Sequence, residues 1–354
     1  MTQASNRAET GTLVEVHNLR THFQTARGVV RAVDGVTFSI ERGRSLGIVG
    51  ESGSGKTILS RSIMGLLPRH GTLRSGSVKF QGQELINRTP KQMRGIWGRE
   101  MAMIFQDPMS SLNPLMKIGR QISEPLMAHL GMNRINARET AEKLLRDDRI
   151  PEPARRLDQY PHELSGGMRQ RVMIAISLAC GPTMLFADEP TTALDVTVQA
   201  QILELINEQR RERNMSLILV THDLGVVAGN TDDIAVMYGG KLVEKAPTRT
   251  LFAKMKMPYT ESLLQSIPKL DQASHTRLQV IPGRPPDLVN PPTGYRFAPR
   301  CSYARDRCLV EEPELRQAES PEHSYACFFP VGSPEYLERQ VELRSRLVTS
   351  RTEN

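Results

Sequence analysis

The chain has 354 residues, 39% of them hydrophobic and 24% charged, which is enough for two compact globular domains and unlike the composition of a disordered chain. A net charge of +7 would suit nucleic acid, phosphate ligands or an anionic membrane face. The basic side chains are scattered, however (Arg69, Lys91, Arg94, Arg99, Arg210, Arg211, Arg213), and aromatics make up only 5%, which argues against a nucleic-acid surface. The apolar runs fall far short of the roughly 20 residues of a membrane-spanning helix, and the opening MTQASNRAETG lacks the apolar core of an export signal, so a cytoplasmic chain is expected.

In chain order, LVEVHNL, VVRAVDGVTFSI and SVKF near residue 80 read as short strands of a small antiparallel sheet. SLGIV is an apolar strand ending at Gly50, followed by a glycine-rich loop and a helical run, TILSRSIMGLL, expected to stop at Pro68. MAMIF, TMLFAD and SLILVTH then alternate with helical segments, the pattern of a parallel sheet covered on both faces. Between them, residues 107–180 are mostly helical, with KIGRQISEPLMAHL and NARETAEKLLRD, and read as an inserted helical subdomain. The fold class is therefore α/β. Past residue 268 the texture becomes proline- and glycine-rich, so the chain divides into 12–268 and a small irregular region, 269–354, carrying Cys301, Cys308 and Cys327. Cys180 sits alone in an apolar run and is expected in the core.

The loop GESGSGKT at residues 50–57 satisfies G-x-x-x-x-G-K-[ST] in full. Its glycines Gly50, Gly53 and Gly55, with Ser52 and Ser54, let backbone N–H groups approach phosphate oxygens at the positive end of a helix. Lys56 would meet the β and γ phosphates and Thr57 would ligate Mg²⁺. In TMLFADEP the strand ends in two carboxylates whose side chains should point opposite ways: Asp188 for Mg²⁺, Glu189 to polarise the attacking water. His222 stands just past another apolar strand, where it can link a γ-phosphate to Glu189. Gln106, at the end of MAMIFQ, suits Mg²⁺ or the water without adding charge.

A second glycine pair lies in LSGGMRQR. Ser165 is a natural N-cap, and Gly166 and Gly167 open the first turn of the helix to an anion. A helix start within the inserted subdomain is awkwardly placed to reach the phosphates held by Lys56 of its own chain. A second subunit resolves this if two cassettes meet head to tail, with Ser165 and Gly167 of one capping the γ-phosphate held by the other.

Taken in order, GESGSGKT, Gln106, LSGGMRQR, FADE, the ALD run ending at Asp195 and His222 resemble the ATP-binding cassette (ABC) transporter subunits. FQDPMSSLNP, DEPTTALDVTVQAQIL, MYGGKLVEKAP and PYTESLL resemble the oligopeptide and dipeptide importer type, and the resemblance spans roughly residues 12–330. It implies an ABC-type P-loop fold, a mixed sheet with an antiparallel subdomain and a helical insertion, and ATP hydrolysis with Mg²⁺ coupled to peptide uptake. It further implies a sister ATPase that is a different chain, two integral-membrane permeases, an extracytoplasmic solute-binding protein, and a peripheral place on the cytoplasmic face of the inner membrane. Asp195 joins the nucleotide-binding set, Phe23 becomes the candidate for stacking on adenine, and residues 107–130 the surface for a permease coupling helix. The competing class, a soluble ABC ATPase acting on nucleic acid or ribosomes, has only the positive charge in its favour. A regulator that binds without hydrolysing is disfavoured by Glu189, Gln106 and His222. Nickel complexes, glutathione and opines stay open as alternative cargo.

The tail also resembles this subfamily, some of whose members ligate an iron–sulfur cluster through C-x₅-C-x₆-C-x₁₈-C. Here Tyr295 stands in the first position and only Cys301, Cys308 and Cys327 follow. Three alternatives remain at this stage: a site completed by another ligand such as His323, a three-iron cluster or zinc, or ordinary packing without metal.

Overall fold

The computed structural model describes residues 11–68, 70–192, 194–267 and 281–352; Arg69, Ala193 and the boundary expected near residue 268 lie outside them. Two long strands, β1 (Thr12–Thr25) and β2 (Gly28–Glu41), open the chain as an antiparallel hairpin. Leu13, Val14, Val16 and Leu19 of β1 are all buried. The step from Val16 to Leu19 breaks strict alternation. A register shift there, with Asn18 at φ 45°, absorbs one residue and returns Leu19 to the core face.

The strand β3 (Ser45–Val49) leads through the glycine loop into helix α1 (Lys56–Met64). The helix stops short of Pro68: Gly65 takes φ 70° and its N–H returns to the carbonyls of Arg61 and Ser62, so a glycine cap, not the proline, ends it. β4 (Thr72–Phe80) and β5 (Gln83–Glu84) complete a four-stranded sheet in the order β2-β1-β4-β5. A one-turn helix, α2 (Pro90–Met93), precedes β6 (Met101–Ile104).

The inserted helices are α3 (Pro108–Ser111), α4 (Ile118–Leu130), α5 (Arg134–Asp147), α6 (Pro153–Arg156) and α7 (Gly166–Leu178). They close on a small core of their own, built on Ile118, Ile122, Leu144, Leu145, Leu157 and Val172. After them come β7 (Met184–Asp188), α8 (Val196–Glu212), β8 (Ser216–Thr221), α9 (Leu224–Ala228), β9 (Asp233–Tyr238) and β10 (Lys241–Pro247).

The principal sheet has eight strands, and β9-β3-β8-β7-β6 are parallel neighbours within it. Every residue of β8 is buried, because Ile218 and Val220 face α1 and the antiparallel sheet while Leu217 and Leu219 face the other core. Helices α10 (Thr248–Lys254) and α11 (Pro258–Gln265) follow. The described tail adds α12 (Asp306–Val310), strands β11 (Arg316–Gln317) and β12 (Ser324–Tyr325), and the terminal α13 (Pro334–Thr352). β12 pairs with β10, and Tyr295, Phe297, Cys308 and Cys327 share one apolar cluster with Val243 and Tyr259. The tail is thus built onto the edge of the principal sheet. Among the described residues, no helix is long and apolar enough to cross a membrane.

Candidate functional site

The strand β3 delivers the phosphate loop to the end of the parallel sheet where ligands of open α/β sheets sit. Glycine is required at two points of this loop. A Cβ on Gly50 would lie 2.2 Å from Met237 O, and one on Gly55, whose φ is 101°, would lie 2.2 Å from Ala32 O. Gly55 caps α1 with no side chain to accept its first-turn N–H groups, so the positive end of the helix faces the loop. A cleft of about 340 Å³ opens there, lined among others by Phe23, Val30, Ala32, Ser52, Gly53, Gly55, Lys56, Thr57, Gln106, Glu189 and Leu288.

Lys56 is 5% exposed, and its Nζ donates to Gly50 O at 2.8 Å and Glu51 O at 3.0 Å. Burial lowers its pKa, against the opposing pull of Glu189, Asp188 and Glu51. Ser54 is buried with its Oγ unpartnered.

Thr57 Oγ1 donates to Asp188 Oδ1 at 2.8 Å, while Asp188 Oδ2 is buried and has no hydrogen-bond partner. Burial raises the pKa of Asp188, against the hydrogen bond from Thr57. A hydroxyl beside an orphaned buried carboxylate oxygen is a hard-oxygen pair of the kind Mg²⁺ takes, so these residues fit that ion.

The two carboxylates separate for a reason strand alternation alone does not give. β7 ends at Asp188, and Glu189 turns out of the strand at φ 46°. Its Oε2 accepts from Gln106 Nε2 at 3.1 Å and from Thr192 Oγ1 at 2.9 Å, and lies 3.5 Å from His222 Nδ1. The structure therefore brings Gln106, Glu189 and His222 together at the rim of the cleft.

Ser165, Gly166, Gly167 and Asp195 lie elsewhere. Ser165 caps α7 by accepting from Met168 N–H at 3.4 Å, Asp195 caps α8 by accepting from Val198 N–H at 2.9 Å, and neither these residues nor the glycines line the cleft of their own chain. Two residues in contact with the site carry no signal in the sequence: Leu288, within a proline-rich run, and Thr192. A third, Glu51, occupies an unspecified position of the loop motif.

Of the three alternatives the sequence left open at the cysteines, the packing supports neither of those with a metal. Among the described residues, no group of three or more His, Cys, Asp or Glu side chains is arranged to hold a metal ion. Cys301, Cys308 and Cys327 line a space of only about 10 Å³ with Tyr295, Pro258, Tyr303, Phe328 and Phe329, so Tyr295 and its apolar neighbours fill the room. Burial pushes the thiols of Cys301 and Cys327 up to about 12. His323 is neither exposed nor a fourth ligand: it is 1% exposed, with Nε2 2.9 Å from Glu244 Oε1. Cys180 is half-buried, not core, and its Sγ donates to Pro125 O at 3.5 Å.

The profile described as ABC transporter matches residues 33–192, and that described as oligopeptide/dipeptide transporter, C-terminal region, matches residues 243–308. The chain is 48% identical over 304 residues to the oligopeptide transport ATP-binding protein OppD of Bacillus subtilis (strain 168), covering 86% of this chain and 85% of that one. It is 46% identical over 319 residues to the dipeptide transport ATP-binding protein DppD of Escherichia coli (strain K12), covering 90% and 97%. A solved ATP-binding cassette, a dimer in a post-hydrolysis state bound to ADP and Pi, superposes with a TM-score of 0.61 at 26% identity, covering 67% of this chain and 99% of that one. A phosphate-loop cleft, the carboxylates at the end of β7 and close relatives along nearly the whole length agree, and the chain belongs to the ABC transporter ATP-binding subunits of the oligopeptide/dipeptide family.

Proposed function

We propose that this chain is the ATP-hydrolysing subunit of an importer that powers uptake of di- and oligopeptides through a separate pair of membrane permeases. The observation that carries hydrolysis is the convergence of Gln106 and His222 on Glu189, at the edge of the cleft lined by Lys56 and Thr57. In this reading residues 50–57 cradle the phosphates, with Lys56 exchanging the carbonyls of Gly50 and Glu51 for the β and γ oxygens. Thr57, Asp188 and Gln106 would hold Mg²⁺, which would neutralise charge on the transferring phosphoryl group. Glu189 draws the proton from the attacking water, Gln106 orients that water, His222 links Glu189 to the γ-phosphate, and Phe23 stacks on adenine. No metal is assigned to the cysteine pocket.

Ser165, Gly166, Gly167 and Asp195 serve the cleft of a companion ATPase, which we assign as a different chain. Their absence from the lining of their own cleft supports a companion, as does the dimeric state of the solved cassette, and the assignment of a different chain rests on the family resemblance. Residues 12–268 form the cassette and 269–354 the tail. Within 107–130, Met109 is 57% and Leu115 86% exposed, which supports this stretch as the surface that receives a permease helix. The assembly sits peripherally on the cytoplasmic face of the inner membrane, fed by an extracytoplasmic binding protein. Peptide cargo rests on the names of the relatives.

Purification from native membranes followed by reconstitution in vesicles tests the whole reading. ATP-driven accumulation of labelled di- or oligopeptide is expected. Transport of only glutathione, opines or nickel complexes would change the cargo, and co-purification with ribosomes or DNA in place of permeases would sink the assignment.

A further inference from the structure

The tail touches the nucleotide cleft at one place and the phosphate loop at another, neither anticipated by a motif. Leu288 lines the cleft together with Phe23, Val30 and Ala32. It is held there by three ties to the β1–β2 hairpin. Arg31 N–H donates to Leu288 O at 3.0 Å. Gly28 lies so close to Val289 that a Cβ on it would come within 2.9 Å of Val289 Cγ1. Arg27 pairs with Asp287 at 3.4 Å.

The second place is the phosphate loop itself. Arg300, whose side chain is 5% exposed, forks onto Glu51: Nη1 to Oε2 at 2.6 Å and Nη2 to Oε1 at 2.9 Å. Its Nε donates to Pro282 O at 2.8 Å and its Nη1 to Tyr238 OH at 3.2 Å. The main chain of Glu51 is fixed as well, its N–H donating to Tyr259 OH at 2.9 Å.

These two contacts do different work. A triphosphate brings several negative charges to a loop that already contains the Glu51 carboxylate. Without a counter-ion that carboxylate repels the ligand, and a buried bidentate guanidinium both cancels the charge and fixes the direction of the loop. Leu288 carries no charge and lines the same cleft as Phe23, so it adds apolar area for a flat base and nothing for phosphate.

We propose that the tail completes the nucleotide site in cis, Leu288 being part of the wall that receives the adenine and Arg300 a positioning residue that neutralises and orients the phosphate loop through Glu51. This rests on the reading that the cleft holds ATP.

The test measures binding of a fluorescent ATP analogue to the full-length chain, displaced either by ATP or by inorganic tripolyphosphate. Leu288→Ala is expected to weaken ATP by roughly five- to tenfold and to leave tripolyphosphate within about twofold of wild type. Arg300→Gln is expected to weaken both ligands by roughly tenfold, Arg300→Lys by less, and the double variant Arg300→Gln with Glu51→Gln to recover most of the loss, because the uncompensated carboxylate is gone. Unchanged ATP affinity in Leu288→Ala, or an equal loss for tripolyphosphate, overturns the role of Leu288. Failure of Glu51→Gln to rescue Arg300→Gln overturns the role of Arg300. Lys56→Ala separates the levels: if that variant binds ATP as wild type does, the cleft reading itself falls, whereas loss of binding there with no effect at Leu288 and Arg300 removes only the part given to the tail. Leu288 is half-buried on the rim, so its truncation tests the proposal even if Arg300 variants do not fold.

Discussion

Thr57 Oγ1 donates to Asp188 Oδ1 at 2.8 Å, joining the first turn of α1 to the last residue of β7, and the second oxygen of that carboxylate is buried without a partner. A buried acceptor left unsatisfied costs on the order of 1–3 kcal/mol, so the site is arranged for a ligand that takes this oxygen. Asp188→Asn keeps the shape and removes the charge. Titration of ATP hydrolysis with Mg²⁺ is expected to show half-saturation at roughly tenfold higher Mg²⁺, equivalent to about 1.4 kcal/mol. Metal-free nucleotide binding is expected to be retained. An unchanged Mg²⁺ requirement would remove Asp188 from the metal set. Because burial raises the pKa of Asp188, protons should compete with Mg²⁺ at less acidic pH than for an ordinary aspartate, and Mg²⁺ affinity should fall as pH is lowered.

Glu189 receives three polar neighbours, and the strained φ of 46° holds its carboxylate at the rim. Glu189→Gln preserves hydrogen-bonding shape but cannot take a proton. It is expected to bind ATP with near wild-type affinity, to lose about 10²–10⁴-fold in turnover, and to accumulate a closed ATPase pair detectable by light scattering. Turnover at the wild-type rate in that variant would end the assignment of Glu189 as base.

The parallel core was legible in the sequence because strands buried on both faces must read as unbroken apolar runs, as SLGIV and SLILVT do. The phosphate loop was legible because its chemistry demands glycine and lysine at fixed spacing over eight consecutive residues. Contacts between distant segments leave no such mark. Arg300 and Glu51 are far apart in the chain, and a charged residue in a tail reads as solvated surface until the fold brings its partner to it. Leu288 is hidden for the same reason, inside a run whose prolines and glycine suggest only a linker. The cysteines were ambiguous for a different reason: spacing alone left metal and ordinary packing both open, and only the fold shows Cys301, Cys308 and Cys327 lining a space of about 10 Å³ with Tyr295, Phe328 and Phe329. The end of α1 shows a small error, since Gly65 in the left-handed region stops a helix before the proline acts.

Ser165 accepts from Met168 N–H at the start of α7, outside its own cleft. A larger cationic side chain there should leave nucleotide binding to this chain intact and block only the proposed contact with a companion. Ser165→Arg is expected to bind a fluorescent ATP analogue within about twofold of wild type, while ATP-induced association with the sister subunit disappears in scattering experiments. The lost N-cap lowers helix stability by about 1 kcal/mol, too little to unfold the subdomain. Unimpaired ATP-driven pairing and full transport in this variant would exclude a role across the interface.

Asp148 gives a pH signature independent of the catalytic residues. It caps the end of α5, is 2% exposed, and its Oδ2 is buried with no hydrogen-bond partner. Burial raises its pKa from 3.8 to about 7, with Arg213 and Arg171 opposing that rise. Between these two values the folded chain holds a proton that the unfolded chain has released. The contribution of this group to stability is therefore intact below about pH 4 and is lost as pH rises to about 7, by up to about 4 kcal/mol at higher pH. Asp148→Asn removes the titration and the cost of a buried charge, at the expense of the attraction to the two arginines. A net gain of about 1–2 kcal/mol at pH 8, or a few degrees in Tm, is expected, with little change at pH 4.5. Thermal melts of both proteins across this range decide the matter: a variant less stable than wild type at pH 8, with the same pH slope, would mean that Asp148 is held as a charged partner of Arg213 and Arg171 instead of as a buried acid.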